Sequence, residues 1–141
     1  LQPFLQMKVN CVIFAYEMEV VHEISDQKAH TLTKSLSQLM SKWALKNQDL
    51  ARILGVSAAK ISRCERGTAF IRPQSKEGEI ALALLRIFRS LYSFVGTNLK
   101  QHHQWLSSYN QALQGIPLEL MHSLHGLYRV LGYLDAMRSK I

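Results

Sequence analysis

Apolar positions recur at helical spacing along most of this chain, and turn-forming residues stand where the spacing breaks. Leu32, Leu36, Leu39, Met40 and Trp43 fall three or four apart, which predicts a first helix from Lys28 to Lys42. Two short helices follow, Asn47–Leu54 and Ser57–Arg66, separated by Gly55. Gly67, Arg72 and Pro73 mark a loop. Ser75 then opens a long helix to Val95, and Gly96 suits its C-cap. Thr97 or Asn98 starts a helix to Tyr109, Pro117 fits the first turn of a short one, and a last helix runs from His125 to the C-terminus. Residues 1–27 are less periodic, and Val9–Tyr16 reads as a short strand or an irregular arm. The expected fold class is all-α, divided into an N-terminal arm of undefined structure (1–27), a central domain (28–73) and a helical C-terminal domain (74–141).

The central pair of helices has the pattern of a helix-turn-helix. Leu50, Ala51, Leu54, Val56, Ile61 and Cys64 fall where two short helices bury side chains against each other. Ala51 is small enough for close approach, Gly55 supplies a left-handed backbone, and the Ser57 hydroxyl accepts from a free amide to start the second helix. In such a motif the start of the second helix enters the major groove. The candidate DNA-binding residues are therefore Asn47, Gln48, Ser57, Ala58, Ala59, Lys60, Ser62, Arg63 and Arg66. Ala58 and Ala59 can touch a thymine methyl, Arg63 can bond guanine bidentately, and Ser57 or Ser62 can reach bases or phosphate. Lys60 and Arg66 suit phosphate.

Charge reinforces that placement. The 141 residues carry a net charge of +7, and 42–73 hold seven bases against two acids, while 1–41 hold three bases against four acids. A basic excess densest over the motif is what phosphate attraction uses. Only two cysteines occur: Cys64 on the inner face of the motif and Cys11 in the apolar run. With no disulfide framework or zinc spacing, they point to a reducing, cytoplasmic compartment. The run Val9–Tyr16 is too short to span a bilayer and lacks a secretory cleavage pattern, so no membrane association is expected. There is no phosphate-cradling glycine loop and no nucleophile elbow, which argues against an enzyme and against a bound cofactor. His102-His103 and His122-x-x-His125 are the only metal candidates; lacking acidic or cysteine companions, they read as ordinary surface or core histidines.

The helix 75–95 is apolar over most of its circumference, with Glu79, Arg86, Ser90 and Ser93 as its polar stripe. Such a helix is covered on several sides, by its own chain or by a partner as well. Leu124, Leu127, Leu131 and Leu134, spaced 3, 4, 3, form either a helix–helix seam or plain core.

The second half carries further order. Trp105-Leu106, Asn110-x-Ala112-Leu113-x-Gly115-x-Pro117 and Gly126-Leu127-x-x-Val130-x-x-Tyr133-Leu134, after an entry helix Glu77–Leu91, resemble the toxin-binding domain of Xre/MbcA/ParS antitoxins. The resemblance covers residues 35–141 and implies a bacterial type II antitoxin. Its implied partners are a RES-domain toxin that consumes NAD, whose active site it covers, and the promoter or operator DNA of its own operon, which it represses as a homodimer. Gly126, Arg129, Tyr133, Asp135, Arg138, Lys140 and Ile141 are the toxin-binding residues it suggests. A pocket for pyrophosphate presents cations, so the Ile141 carboxylate or Asp135 would serve as a blocking acceptor, while Arg129, Arg138 and Lys140 would meet toxin carboxylates. The chain departs from the family at Lys46, where a Ser or Thr cap often stands; Asn47 is the alternative cap. A stand-alone, phage-repressor-like transcription regulator whose second half only dimerises is the alternative reading, and a plasmid-partition DNA binder is a third.

Overall fold

A computed structural model describes residues 2–140, with side chains at position 15 and from 17 to 140. Among the described residues seven helices follow one another: α1 (Gln2–Trp43), α2 (Asn47–Leu54), α3 (Ala58–Glu65), α4 (Lys76–Val95), α5 (Leu99–Ser107), α6 (Pro117–Leu120) and α7 (Leu124–Arg138). There is no strand among the described residues; a single antiparallel bridge joins Asn110 and Gly115.

The largest departure from the sequence reading is at the N-terminus. Val9–Tyr16 is neither strand nor irregular arm but part of α1, a helix of 42 residues that begins far ahead of Lys28. Physically nothing interrupts it: residues 2–43 contain no glycine, and their one proline, Pro3, sits in the opening turn where a missing amide is harmless. Its second half enters the core. Leu32, Leu36, Leu39, Met40 and Trp43 are all buried, whereas Met18, Val20, Val21 and Ile24 are exposed.

α1 stops in a tight reversal. Leu45 N–H donates to the Met40 carbonyl at 3.0 Å and Ala44 N–H to Ser41 at 3.3 Å, with Ala44 itself at φ 48°. This is the Schellman pattern with alanine where glycine is usual, and the left-handed backbone costs an L-residue roughly 1 kcal/mol. Ala44→Gly is expected to stabilise the protein by somewhat less than that, because glycine adds unfolded-state freedom. The check is a higher urea midpoint at unchanged slope.

α4 is the centre of the molecule, packed against α1, α2, α5 and α7, and its contact with α7 is the most extensive. Ala81, Leu84, Ile87 and Leu91 have no exposed surface. The expected polar stripe needs correction: Ser90 is buried beside Ala83 and Ile87, while Leu82, Tyr92 and Phe94 are exposed. A helix flanked on both sides buries whatever lies between its neighbours, including a small hydroxyl. The leucine spacing of the last helix resolves into intramolecular core, since Leu127, Leu131 and Leu134 are buried with Val130, but Leu124 is exposed. One cluster of buried residues runs from Leu32 to Leu134 through both halves of the chain.

Four side-chain caps open the later helices. Ser57 accepts from Lys60 N–H, Ser75 from Gly78 N–H, Asn98 from Lys100 N–H and Ser123 from Gly126 N–H, each near 3.0 Å. α5 ends at Ser107, two residues before Tyr109, and α7 at Arg138.

Candidate nucleic-acid interface and C-terminal face

The helix-turn-helix is assembled as its residue pattern requires. Gly55 takes φ 71°, its N–H and that of Val56 close on the Ala51 carbonyl, and Leu50, Ala51, Leu54, Ile61 and Cys64 are buried between α2 and α3. Burial pushes the Cys64 thiol above its ordinary value, so it stays a neutral apolar filler. Lys46 begins α2 without a side-chain cap of its own; instead Asp49 reaches back to accept from Lys46 N–H at 3.2 Å. Asn47 does not cap. Its amide donates to Glu65 at 3.0 Å and ties the start of α2 to the end of α3.

The candidate DNA-binding residues divide accordingly. Gln48, Ser57, Ala59, Arg63 and Arg66 are exposed, and Ser62 is half-buried. Ala58, expected outside, packs partly against the core. Lys60, expected to reach phosphate, turns inward: its ammonium bonds Glu77 at 2.7 Å and joins α3 to the first turn of α4. Arg72 is likewise paired, with Asp26 at 3.2 Å, and Lys42 lies 5.6 Å over the Phe88 ring. Lys46, Arg52, Arg63 and Arg66 remain exposed with no ion-pair partner among the described residues.

The hydrogen bond from Lys60 holds the Glu77 carboxyl below the usual carboxylate range, aided by its own backbone amide, the Lys60 charge and the Ser75 hydroxyl and opposed by burial. A carboxylate lowered in the folded state contributes stability that is complete above its unfolded value and lost as pH falls through the folded one. Glu77→Gln is therefore expected to lower Tm at neutral pH. The gap to the parent should close below about pH 4. A gap that stays constant through acid would contradict this.

In the second half, the segment after α5 folds on itself. Asn110 and Gly115 exchange backbone hydrogen bonds at 2.9 and 3.3 Å, and the Asn110 side chain accepts from Leu113 N–H at 3.1 Å. Arg129, suggested as a toxin contact, donates to the Leu113 carbonyl at 2.6 Å and braces this loop from α7. Gly126 is buried at the start of α7, where a Cβ would run into the Leu120 carbonyl, so it serves helix packing and not a surface. Tyr133 is half-buried and stacks on Trp105 at 6.4 Å. Asp135 is engaged by Arg86 at 2.6 Å and more loosely by Arg138 at 3.9 Å. Lys140 is exposed, and Ile141 lies outside the described residues.

The comparisons with known proteins divide the chain into two. Residues 22–86 match the model of the antitoxin Xre-like helix-turn-helix domain. Residues 90–140 match that of the antitoxin Xre/MbcA/ParS C-terminal toxin-binding domain. No curated protein matches. The chain belongs to the Xre/MbcA/ParS antitoxins.

In this antitoxin the two matched stretches meet inside α4, between Arg86 and Ser90. An antitoxin of this family has a toxin partner and a DNA-binding motif, which is the organisation the fold presents. No single helix among the described residues is long and apolar enough to cross a membrane, and no three metal-ligating side chains gather there. Sequence reasoning missed two features. One is the pairing of His102, a core histidine, with the Trp43 indole and the Gly96 carbonyl. The other is the exposed apolar pair Leu124 and Tyr128, 58% and 43% accessible, on the outer face of α7. The 3, 4, 3 leucine spacing hid that pair by placing Leu124 in the seam.

Proposed function

We propose that the antitoxin neutralises a RES-domain toxin by covering its NAD-consuming site, and represses its own operon as a cytoplasmic homodimer bound to promoter DNA. It acts by binding, without chemistry or a cofactor of its own. The observation that carries this reading is the order of the two matched domains along one chain. A blocking surface is available beside it. Leu124, Tyr128 and Gly132 fall on one face of α7, a Cβ on Gly132 would meet nothing within 4 Å, and the exposed cations Arg138 and Lys140 stand at and just past the helix's C-terminal end. Apolar residues exposed in a row at the centre, with cations at the rim, suit a protein partner.

The decisive experiment purifies the chain from its native cells and assays any stoichiometric partner for NAD consumption with and without it. A partner that destroys NAD only when freed supports the reading; promoter binding with no partner turns the chain into a simple repressor. Within that assay Tyr128→Ala, and separately removal of Ser139–Ile141, should weaken neutralisation while DNA binding holds.

On the DNA side, Arg63→Ala should flatten base preference by about 1–3 kcal/mol at one operator position. Arg66→Ala should weaken every sequence alike. Equal losses from both across operator variants would overturn this division of roles. Lys60 is expected to act through its bond to Glu77 and not through phosphate.

A further inference from the structure

Residues 17–24 of α1 are all exposed, away from the core. From 17 onward Ala29 is the first buried residue, and among the described residues Asp26–Arg72 is the only ion pair between 17–28 and the body. A bare helix is marginal in water, because most helical stability comes from packing an apolar face. At 100° per residue Val20, Val21 and Ile24 lie on one side of α1, while Glu19, Glu23 and Asp26 lie on the other. Val21 is 63% and Ile24 46% exposed. The same side continues into an open groove of about 500 Å³ between α1 and α4, lined by Ile24, Lys28, Thr31, Leu82 and Leu85.

The geometry points to a second copy of this chain as the occupant: two α1 helices packed antiparallel about a two-fold axis between positions 22 and 23. In that register Val21 of each copy opposes Ile24 of the other. Glu17 opposes Lys28 at both ends of the apolar centre. Neither Glu17 nor Lys28 has an ion-pair partner among the described residues. Glu19 and Asp26, which would repel their counterparts, lie on the side of α1 away from this seam, Asp26 on Arg72 of the body. Position 14 of one copy falls opposite position 31 of the other, over the groove, so the contact spans about 27 Å of helix at 1.5 Å per residue. A parallel arrangement would set Glu17 against Glu17 and Lys28 against Lys28. This interface rests on the homodimer reading above and adds its surface and polarity.

The test is sedimentation equilibrium of the full chain. Ile24→Asp should dissociate the dimer while the cooperative thermal unfolding of the body is kept, because the position is exposed and outside the core. Glu17→Lys and Lys28→Glu should each weaken dimerisation at least tenfold, and the double swap should restore it, which no loss of folding can imitate. A dimer indifferent to Ile24→Asp and to both single swaps overturns the α1 interface and leaves the homodimer standing. A parent chain that sediments as a monomer overturns both.

Discussion

Gly126→Ala is expected to unfold the C-terminal half under conditions where the parent chain is folded. A Cβ at this position meets the Leu120 carbonyl carbon at 2.7 Å and the Ser123 hydroxyl at 2.9 Å, well inside contact distance. Neither can step aside. The Leu120 carbonyl accepts from Ser123 N–H at 3.2 Å, and the Ser123 hydroxyl caps α7 through Gly126 N–H at 3.0 Å. One methyl group therefore opposes both the turn and the cap, and the cost should reach or exceed the upper end of overpacking, about 3 kcal/mol. Gly132→Ala, in the same helix, is the internal control. Nothing lies within 4 Å of its added Cβ, so helix propensity alone should stabilise the protein by up to about 1 kcal/mol. Thermal unfolding of the two variants should move in opposite directions. Equal shifts would show that α7 does not pack as described.

His102→Leu should be nearly as damaging although it exchanges one buried side chain for another of similar bulk. The imidazole has no exposed surface; its Nδ1 accepts from the Trp43 indole at 3.3 Å and its Nε2 lies 2.7 Å from the Gly96 carbonyl. The carbonyl can only accept, so Nε2 carries the proton, and the ring is the tautomer that satisfies both neighbours. Leucine leaves a buried donor and a buried acceptor unpaired, at roughly 1–3 kcal/mol each. Trp43→Phe combined with His102→Leu removes the orphaned donor as well, so the double variant should lose less than the sum of the single losses. Strict additivity in a double-mutant cycle would mean that the indole and imidazole are not coupled.

What the residues disclosed on their own depended on how local the interactions were. The helix-turn-helix was legible because Gly55, Ser57 and the six packing positions act within twenty residues of one another. The Asn110–Gly115 loop was visible as spacing, though not as the braced turn it forms. Lys60 looked like a phosphate contact because its partner Glu77 stands 17 residues away, and charge patterning is blind to such distances. His102 looked ordinary for the same reason, with Trp43 59 positions earlier. α4 is apolar over most of its circumference, so periodicity could not separate Leu82, which is exposed, from Ser90, which is buried. The helical start of α1 was obscured by an apolar run with no clear period, where the absence of glycine should have carried more weight.

The two matched domains share α4 and have no linker between them. That denies the protein a hinge. On the proposed function, a toxin seated on α7 and an operator held by α3 would be mounted on opposite stretches of one rod, and neither could swivel without unpacking the other. Communication between them would then fall to bulk and distance: a bound toxin would alter repression by what it excludes from, or brings near to, the neighbouring stretch of DNA. For the same reason a protease that nicks α4 should release no intact reader of DNA, and the two activities should disappear together when the chain is degraded.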